Sequence, residues 1–179
     1  MASRFLFDTS ALIAHSRQEP GWARVQALFE EGDSEILVAS VSLTEFARRL
    51  RELGATEAEA RGTVEDYLEI LDEVIPVDEG VAFTAFDIGC AVEKRLPLID
   101  ALIAAADHRR GACLVHRDQH MAPIPADLVA QIDLSKESDE AQHLSTTQPP
   151  PLPPEPTASG SPAGPRRRSR RQGSSGSGG

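Results

Sequence analysis

Short apolar runs alternate along the chain with longer stretches whose apolar residues recur every three or four positions, a pattern that predicts strands separated by amphipathic helices. The first run, Phe5-Leu6-Phe7, ends on Asp8-Thr9-Ser10 and passes into Ala11-Leu12-Ile13-Ala14, so a buried strand is expected to meet a helix capped by Thr9 or Ser10. Trp22, Val25, Leu28 and Phe29 share one face of a helix over about 21–31. A second buried strand spans 35–39 and leads through Ser40 to Ser42 into a helix carrying Leu43, Phe46, Ala47 and Leu50 on one side, with Gly54 past its end. The next helix, 55–72, starts at a Thr56 cap. Residues 73–77 read as a short third strand, and Pro76 predicts that it lies at a sheet edge. Asp78-Glu79-Gly80 opens a helix that Pro97 separates from an alanine-rich one, Ala101 to Ala106, with Asp100 at its start and Gly111 near its end. Residues 112–116 form a fourth strand followed by Arg117-Asp118, and 128–134 offer a last strand or helix.

Strands alternating with helices predict the α/β class, a three-layer α/β/α domain with a central, mostly parallel sheet, because right-handed crossovers place helices on both faces. This domain is expected over residues 1–140. The remainder, 141–179, is rich in Pro, Arg, Gly and Ser and lacks the apolar surface needed to fold, so it reads as a disordered tail.

Charge divides along the same line. The chain has a formal net charge of −10, yet Ser145 to Gly179 holds five arginines against the single acid Glu155, leaving the rest strongly acidic. An acidic body argues against broad electrostatic binding of nucleic acid and leaves room for a local basic rim, for which Arg17, Arg48, Arg49 and Arg51 are the candidates. It also suits a carboxylate metal site or a basic protein partner. Cys90 and Cys113 are too few for a disulfide framework and sit in no zinc spacing, so both read as small buried residues in a reducing cytoplasm. No leader pattern and no run of about 18 apolar residues points to export or membrane insertion.

Four acids stand at element ends: Asp8 after the first strand, Glu45 early in a helix, Asp100 at a helix start and Asp118 after the fourth strand. Each has a structural reading too. Asp8 and Asp100 fit helix caps, Asp118 a turn acid, and Ser42-Leu43-Thr44-Glu45 a capping box. In open α/β sheets ligands bind beyond the carboxyl ends of the strands, so the shared placement of the four favours a site. Converging carboxylates suit Mg²⁺ or Mn²⁺, and such an ion suits phosphodiester hydrolysis. Among other residues, Asp107 reads as a solvated helix acid and His15 as a surface or groove residue near Asp8. A haloacid-dehalogenase-like phosphatase would need a second Asp at position 10, which is Ser.

The pieces FLFDTSALIA, VASVSLTEFARRL, LPLIDALIAAAD and LVHRD, in this order, resemble the PIN-domain ribonucleases, especially the VapC-type toxins of bacterial toxin–antitoxin pairs, over about Phe5 to Leu134. The resemblance implies a PIN-like domain in which Asp8, Glu45, Asp100 and Asp118 form the metal-binding and catalytic site, with Ser10 or Thr9 positioning a water or carboxylate. It further implies a Mg²⁺- or Mn²⁺-dependent endoribonuclease cutting structured RNA such as tRNA or rRNA to leave a 5′-phosphate and a 3′-hydroxyl, an antitoxin protein as partner, and a homodimer. The helices over 42–72 are the expected pairing surface. The chain departs from the family around the fourth acid, where His116, His120 and Met121 replace a Thr or Ser, an acid and a Phe. Met121 is expected to fill the pocket of that Phe. A PIN-like module that binds RNA or an antitoxin without cutting is the alternative.

Overall fold

Phe5, Leu6 and Phe7 lie in β1 (Ser3–Phe7), whose successive side chains point to opposite faces and are covered on both. In this computed structural model residues 3–136 are described, and the tail expected after residue 140 lies outside them. The chain continues through α1 (Thr9–Arg17), α2 (Trp22–Glu30), β2 (Ser34–Ala39), α3 (Ser40–Glu52) and α4 (Glu57–Ile70). There follow β3 (Glu73–Ile75), α5 (Glu79–Ala91), α6 (Leu98–Arg110), β4 (Cys113–His116) and β5 (Ala130–Asp133). The segment 128–134, readable as strand or helix, thus contributes a strand.

The strands form one five-stranded sheet in the order β3-β2-β1-β4-β5, and every pairing is parallel. Register places Leu6 opposite Leu37 and Leu114, and Phe7 opposite Val38 and Val115. Leu6, Leu37 and Leu114 pack with Ala85 and Ile88 of α5 and with Ile103 and Ala104 of α6. Phe7, Val38 and Val115 pack the other way, with Leu12, Val25, Leu28, Phe46 and Tyr67 of α1 to α4. The described residues therefore form a three-layer α/β/α sandwich, as the alternation of strand and helix patterns predicts. β3, which ends just before Pro76, is indeed an edge strand.

Two helix starts decide between readings the sequence left open. Asp8, one of the cap candidates, and not Thr9 or Ser10, caps α1, accepting the Ser10 amide, because the helix already begins at Thr9. No loop intervenes between β2 and α3, so Ser42 falls inside the helix and the alternative capping box at Glu45 does not form. A true box occurs at Thr56 and Glu59, which bond reciprocally at the start of α4.

Cys90 is exposed rather than buried, since α5 buries only the stripe Val81, Ala85 and Ile88; Cys113 is half-buried, and both are free thiols. Large exposed apolar residues include Leu53, Leu68 and Ile70 around α3 and α4, as expected, but the most exposed are Phe83, Phe86 and Leu98 on α5 and α6. Met121 is buried within the α5–α6 side of the core. No helix among the described residues is long and apolar enough to cross a membrane.

Gly21, at the N-cap of α2, lies against Leu134. It adopts φ +92°, a left-handed conformation strained for any side chain, and a Cβ there would stand 2.9 Å from the Leu134 Cβ. Gly21→Ala should therefore lower unfolding stability by about 1–3 kcal/mol, through backbone strain and overpacking together, measured by urea denaturation against the parent chain.

Candidate metal centre

At the β1–β4 boundary the connections run to opposite sides of the sheet, leaving a crevice at the strands' carboxyl ends. The ladder extends one residue past β1, where the Asp8 amide donates to the Val115 carbonyl at 3.0 Å. Asp8 is thereby fixed at the crevice floor, 4% exposed. Its Oδ2 accepts from the Ser10 hydroxyl at 2.5 Å and the Ser10 amide at 3.0 Å. Ser10 Oγ in turn accepts the Arg117 amide at 2.8 Å, linking the first turn of α1 to the loop after β4. Glu45 comes from the second turn of α3, and its Oε2 accepts the Thr9 hydroxyl at 2.7 Å. Thr9 and Ser10 thus orient one carboxylate each.

Asp100 sits in the first turn of α6 and Asp118 in the loop after β4. Asp8, Glu45, Asp100 and Asp118 all line one cleft of about 750 Å³, so the structure brings together the whole sequence-derived set, with Thr9 and Ser10. Arg48 and Arg49 on one rim and Arg117 on the other also line it, whereas Arg17 and Arg51 do not. Sequence reasoning passed over Arg117, although it directly precedes Asp118, and Glu19, which holds it at 3.1 Å.

The two histidines beside Asp118 have different fates. His116 is fully buried; its Nδ1 donates to the Asp118 carbonyl at 3.0 Å and its Nε2 lies 2.9 Å from Gln131 Oε1. It is a strut under the loop, not a ligand. His120 is half-exposed, and its Nδ1 lies 3.1 Å from Asp118 Oδ1. Two further residues correct their sequence readings. His15 bridges helices, with Nδ1 2.6 Å from Tyr67 Oη and Nε2 2.7 Å from Gln26 Oε1, rather than lying in the groove. Asp107 is buried rather than solvated, with no hydrogen bond to either carboxylate oxygen, and burial pushes its carboxyl up to about 8. It shares a face of α6 with Ile103 and Ala104, so helical periodicity would have placed it inward.

A family model described as the PIN domain matches residues 5–126, which contain all four acids. The chain belongs to the PIN domain family. Solved structures agree in fold. VapBC2 from Rickettsia felis bound to a promoter DNA fragment superposes with a TM-score of 0.59 at 15% identity, covering 73% of this chain and 98% of that one. DNA-bound VapBC from Salmonella typhimurium gives 0.59 at 19%, covering 74% and 98%. VapBC-5 from Mycobacterium tuberculosis, of the VapBC family of toxin–antitoxin systems, gives 0.54 at 23%, covering 73% and 98%. Comparison with curated proteins finds no match.

The acids lining this cleft fit a divalent ion. Burial raises the Asp8 carboxyl above its ordinary range, against the opposing Ser10 hydrogen bonds, and the Glu45 charge adds to the rise. Burial also pushes Asp100 up to about 7, helped by the charges of Asp118 and Asp8. Asp100 Oδ2 is buried and has no hydrogen-bond partner. A cation would relieve this repulsion and occupy that oxygen, and hard oxygen donors suit Mg²⁺ or Mn²⁺.

Because these carboxyls titrate higher folded than unfolded, the native chain holds more protons between the two values, and stability falls as pH rises through that window. In chelator-treated protein the thermal midpoint should drop between about pH 5 and about pH 8. Added Mn²⁺ should raise it more at the upper pH, where Asp100, pushed up to about 7, is ionised; scanning calorimetry at both values reads the difference.

Proposed function

We propose that this PIN domain is a metal-dependent endoribonuclease and the toxin of a type II toxin–antitoxin pair. The convergence of Asp8, Glu45, Asp100 and Asp118 on one cleft, with a buried Asp100 oxygen left without a partner, carries the reading. Asp8, Asp100 and Asp118 would hold Mg²⁺ or Mn²⁺, with Glu45 beside them. When bound, the ion supplies positive charge against the scissile phosphate and lowers the pKa of water.

The chain's own residues supply the rest. Thr9 holds Glu45 where it can orient the attacking water and take its proton, and Ser10 holds Asp8 toward the cleft. Water adds to phosphorus as the 3′-oxygen leaves, giving a 5′-phosphate and a 3′-hydroxyl. Arg48 and Arg49 are paired with Glu52 on the surface, whereas Arg117 is partly buried and held by Glu19 and the Pro20 carbonyl. Exposed pairs such as those to Glu52 are worth about 0–1 kcal/mol, so the Arg48 and Arg49 guanidinium groups can turn to RNA phosphates at little cost. In this reading the rim selects RNA locally although the chain as a whole is acidic.

The neighbouring folds include a toxin–antitoxin complex from Klebsiella pneumoniae, with a TM-score of 0.55 at 20% identity, covering 72% of this chain and 96% of that one. They support an antitoxin partner, which the acidic cleft would receive through a basic segment. A homodimer is part of the same reading, and Phe83, Phe86 and Leu98 of α5 and α6 are more exposed apolar candidates for its surface than those of α3 and α4. Action in the cytoplasm on tRNA or rRNA completes the proposal.

Expression of wild type beside Asp8→Asn, with RNA ends mapped from the cells, tests it. Wild type should arrest growth and leave 5′-phosphate ends. Asp8→Asn should cut about 100-fold less or worse, and chelator should abolish cleavage by purified protein. Two folded proteins equally harmless and leaving RNA equally intact would sink the nuclease reading and favour a module that only binds.

A further inference from the structure

The loop after β4 turns His120 toward the acidic cluster. Asp118 Oδ1 accepts the His120 amide at 2.8 Å, a tight turn that presents the imidazole beside the carboxylate that forms it. His120 Nδ1 then lies 3.1 Å from Asp118 Oδ1 and 3.9 Å from Asp100 Oδ2. One donor atom from each of the three residues falls within 4.8 Å of the other two. Ligands about 2.1 Å from a common ion stand about 3 Å apart at right angles and about 4 Å apart when opposed, so both spacings suit one shared ion. Asp100 Oδ2, the cluster's buried oxygen without a hydrogen-bond partner, is an independent sign that something other than a protein donor belongs there. His116 competes for no such role, since both its ring nitrogens are engaged beneath the loop.

We propose that His120 is a nitrogen ligand of the metal centre and gives it a preference for Mn²⁺ over Mg²⁺. The inference rests on the metal-dependent reading above and adds the identity of a ligand and of the favoured ion. Mg²⁺ takes oxygen ligands and keeps its waters, whereas imidazole is a good donor to first-row transition ions and gains little with magnesium. A nitrogen donor among the carboxylates lets the site discriminate between ions by donor chemistry.

The test uses the full chain, stripped of metal and titrated with Mn²⁺ alone and Mg²⁺ alone. Pulsed electron paramagnetic resonance of the Mn²⁺ complex should show imidazole nitrogen coupling, which changes pattern in wild type grown with ¹⁵N-histidine. The coupling should vanish in His120→Ala and in His120→Phe, two changes at a half-exposed loop position. Calorimetry should give an Mn²⁺ Kd about tenfold higher or more in these variants, with Mg²⁺ altered about twofold at most. Mn²⁺ bound without nitrogen coupling, coupling that survives both substitutions, or equal weakening of both metals would overturn the role of His120 and leave it an ion-pair partner of Asp118. Those results leave the metal-dependent reading intact if Asp100→Asn still abolishes Mn²⁺ binding; failure of wild type to bind either ion would remove both.

Discussion

A single hydroxyl ties the two halves of the site together. Ser10 Oγ donates to Asp8 and accepts the amide of Arg117, so the carboxylate at the end of β1 and the loop after β4 share one hinge point. The Asp8 amide, bonded to Val115, adds a ladder rung between the same two strands. These bonds cross the place where the sheet's connections diverge, the only kind of position where two neighbouring parallel strands leave open space at their ends. Everything else in the cleft is set relative to that junction. Asp118 follows β4 by two residues, and α6 lies across the sheet to bring Asp100 beside it.

The site is held in a state of electrostatic tension that packing makes possible. Burying carboxylates near one another is unfavourable, and the raised Asp8 and Asp100 carboxyls record that cost. The cost is borne by a sheet whose two faces are both covered by apolar side chains and by two helices, α1, whose first turn donates the Thr9 and Ser10 hydroxyls, and α3, whose second turn carries Glu45. The buried Asp107, farther along α6, shows that the same packing also encloses an acid with no hydrogen bond. Its placement follows from the run of alanines beside it, which lets the helix approach the sheet closely enough to cover every residue on that face.

The histidines around Asp118 show how one motif divides its labour. His116 is the last residue of β4, so strand alternation sends it inward, where it supports the loop from below. His120 lies beyond the turn and faces the acids from the solvent side. Met121, next in sequence, enters the core and anchors the loop's far end. With His116 beneath the loop, His120 beside the carboxylate and Met121 buried beyond it, Asp118 is kept at the mouth of the cleft.

The order of elements, the parallel layered fold and the four acids were legible in the sequence because apolar periodicity and the ends of apolar runs are local properties. Pro76 marked its edge strand for the same reason, and Thr56 its helix start. Local pattern could not decide between equivalent local bonds. Ser42 and Glu45 spell a capping box as well as Thr56 and Glu59 do, yet only the second pair forms, because β2 runs straight into α3 and leaves Ser42 within the helix. Glu45 is released to meet Thr9, a partner 36 residues away that no window of sequence contains. Burial of Asp107, exposure of Cys90 and the opposite orientations of His116 and His120 likewise depend on which face each element turns to its neighbours. Sequence by itself determined which side chains could do chemistry and which strands would carry them; the tertiary structure alone decided which of them meet, since that depends on the crossing of the chain at the β1–β4 boundary.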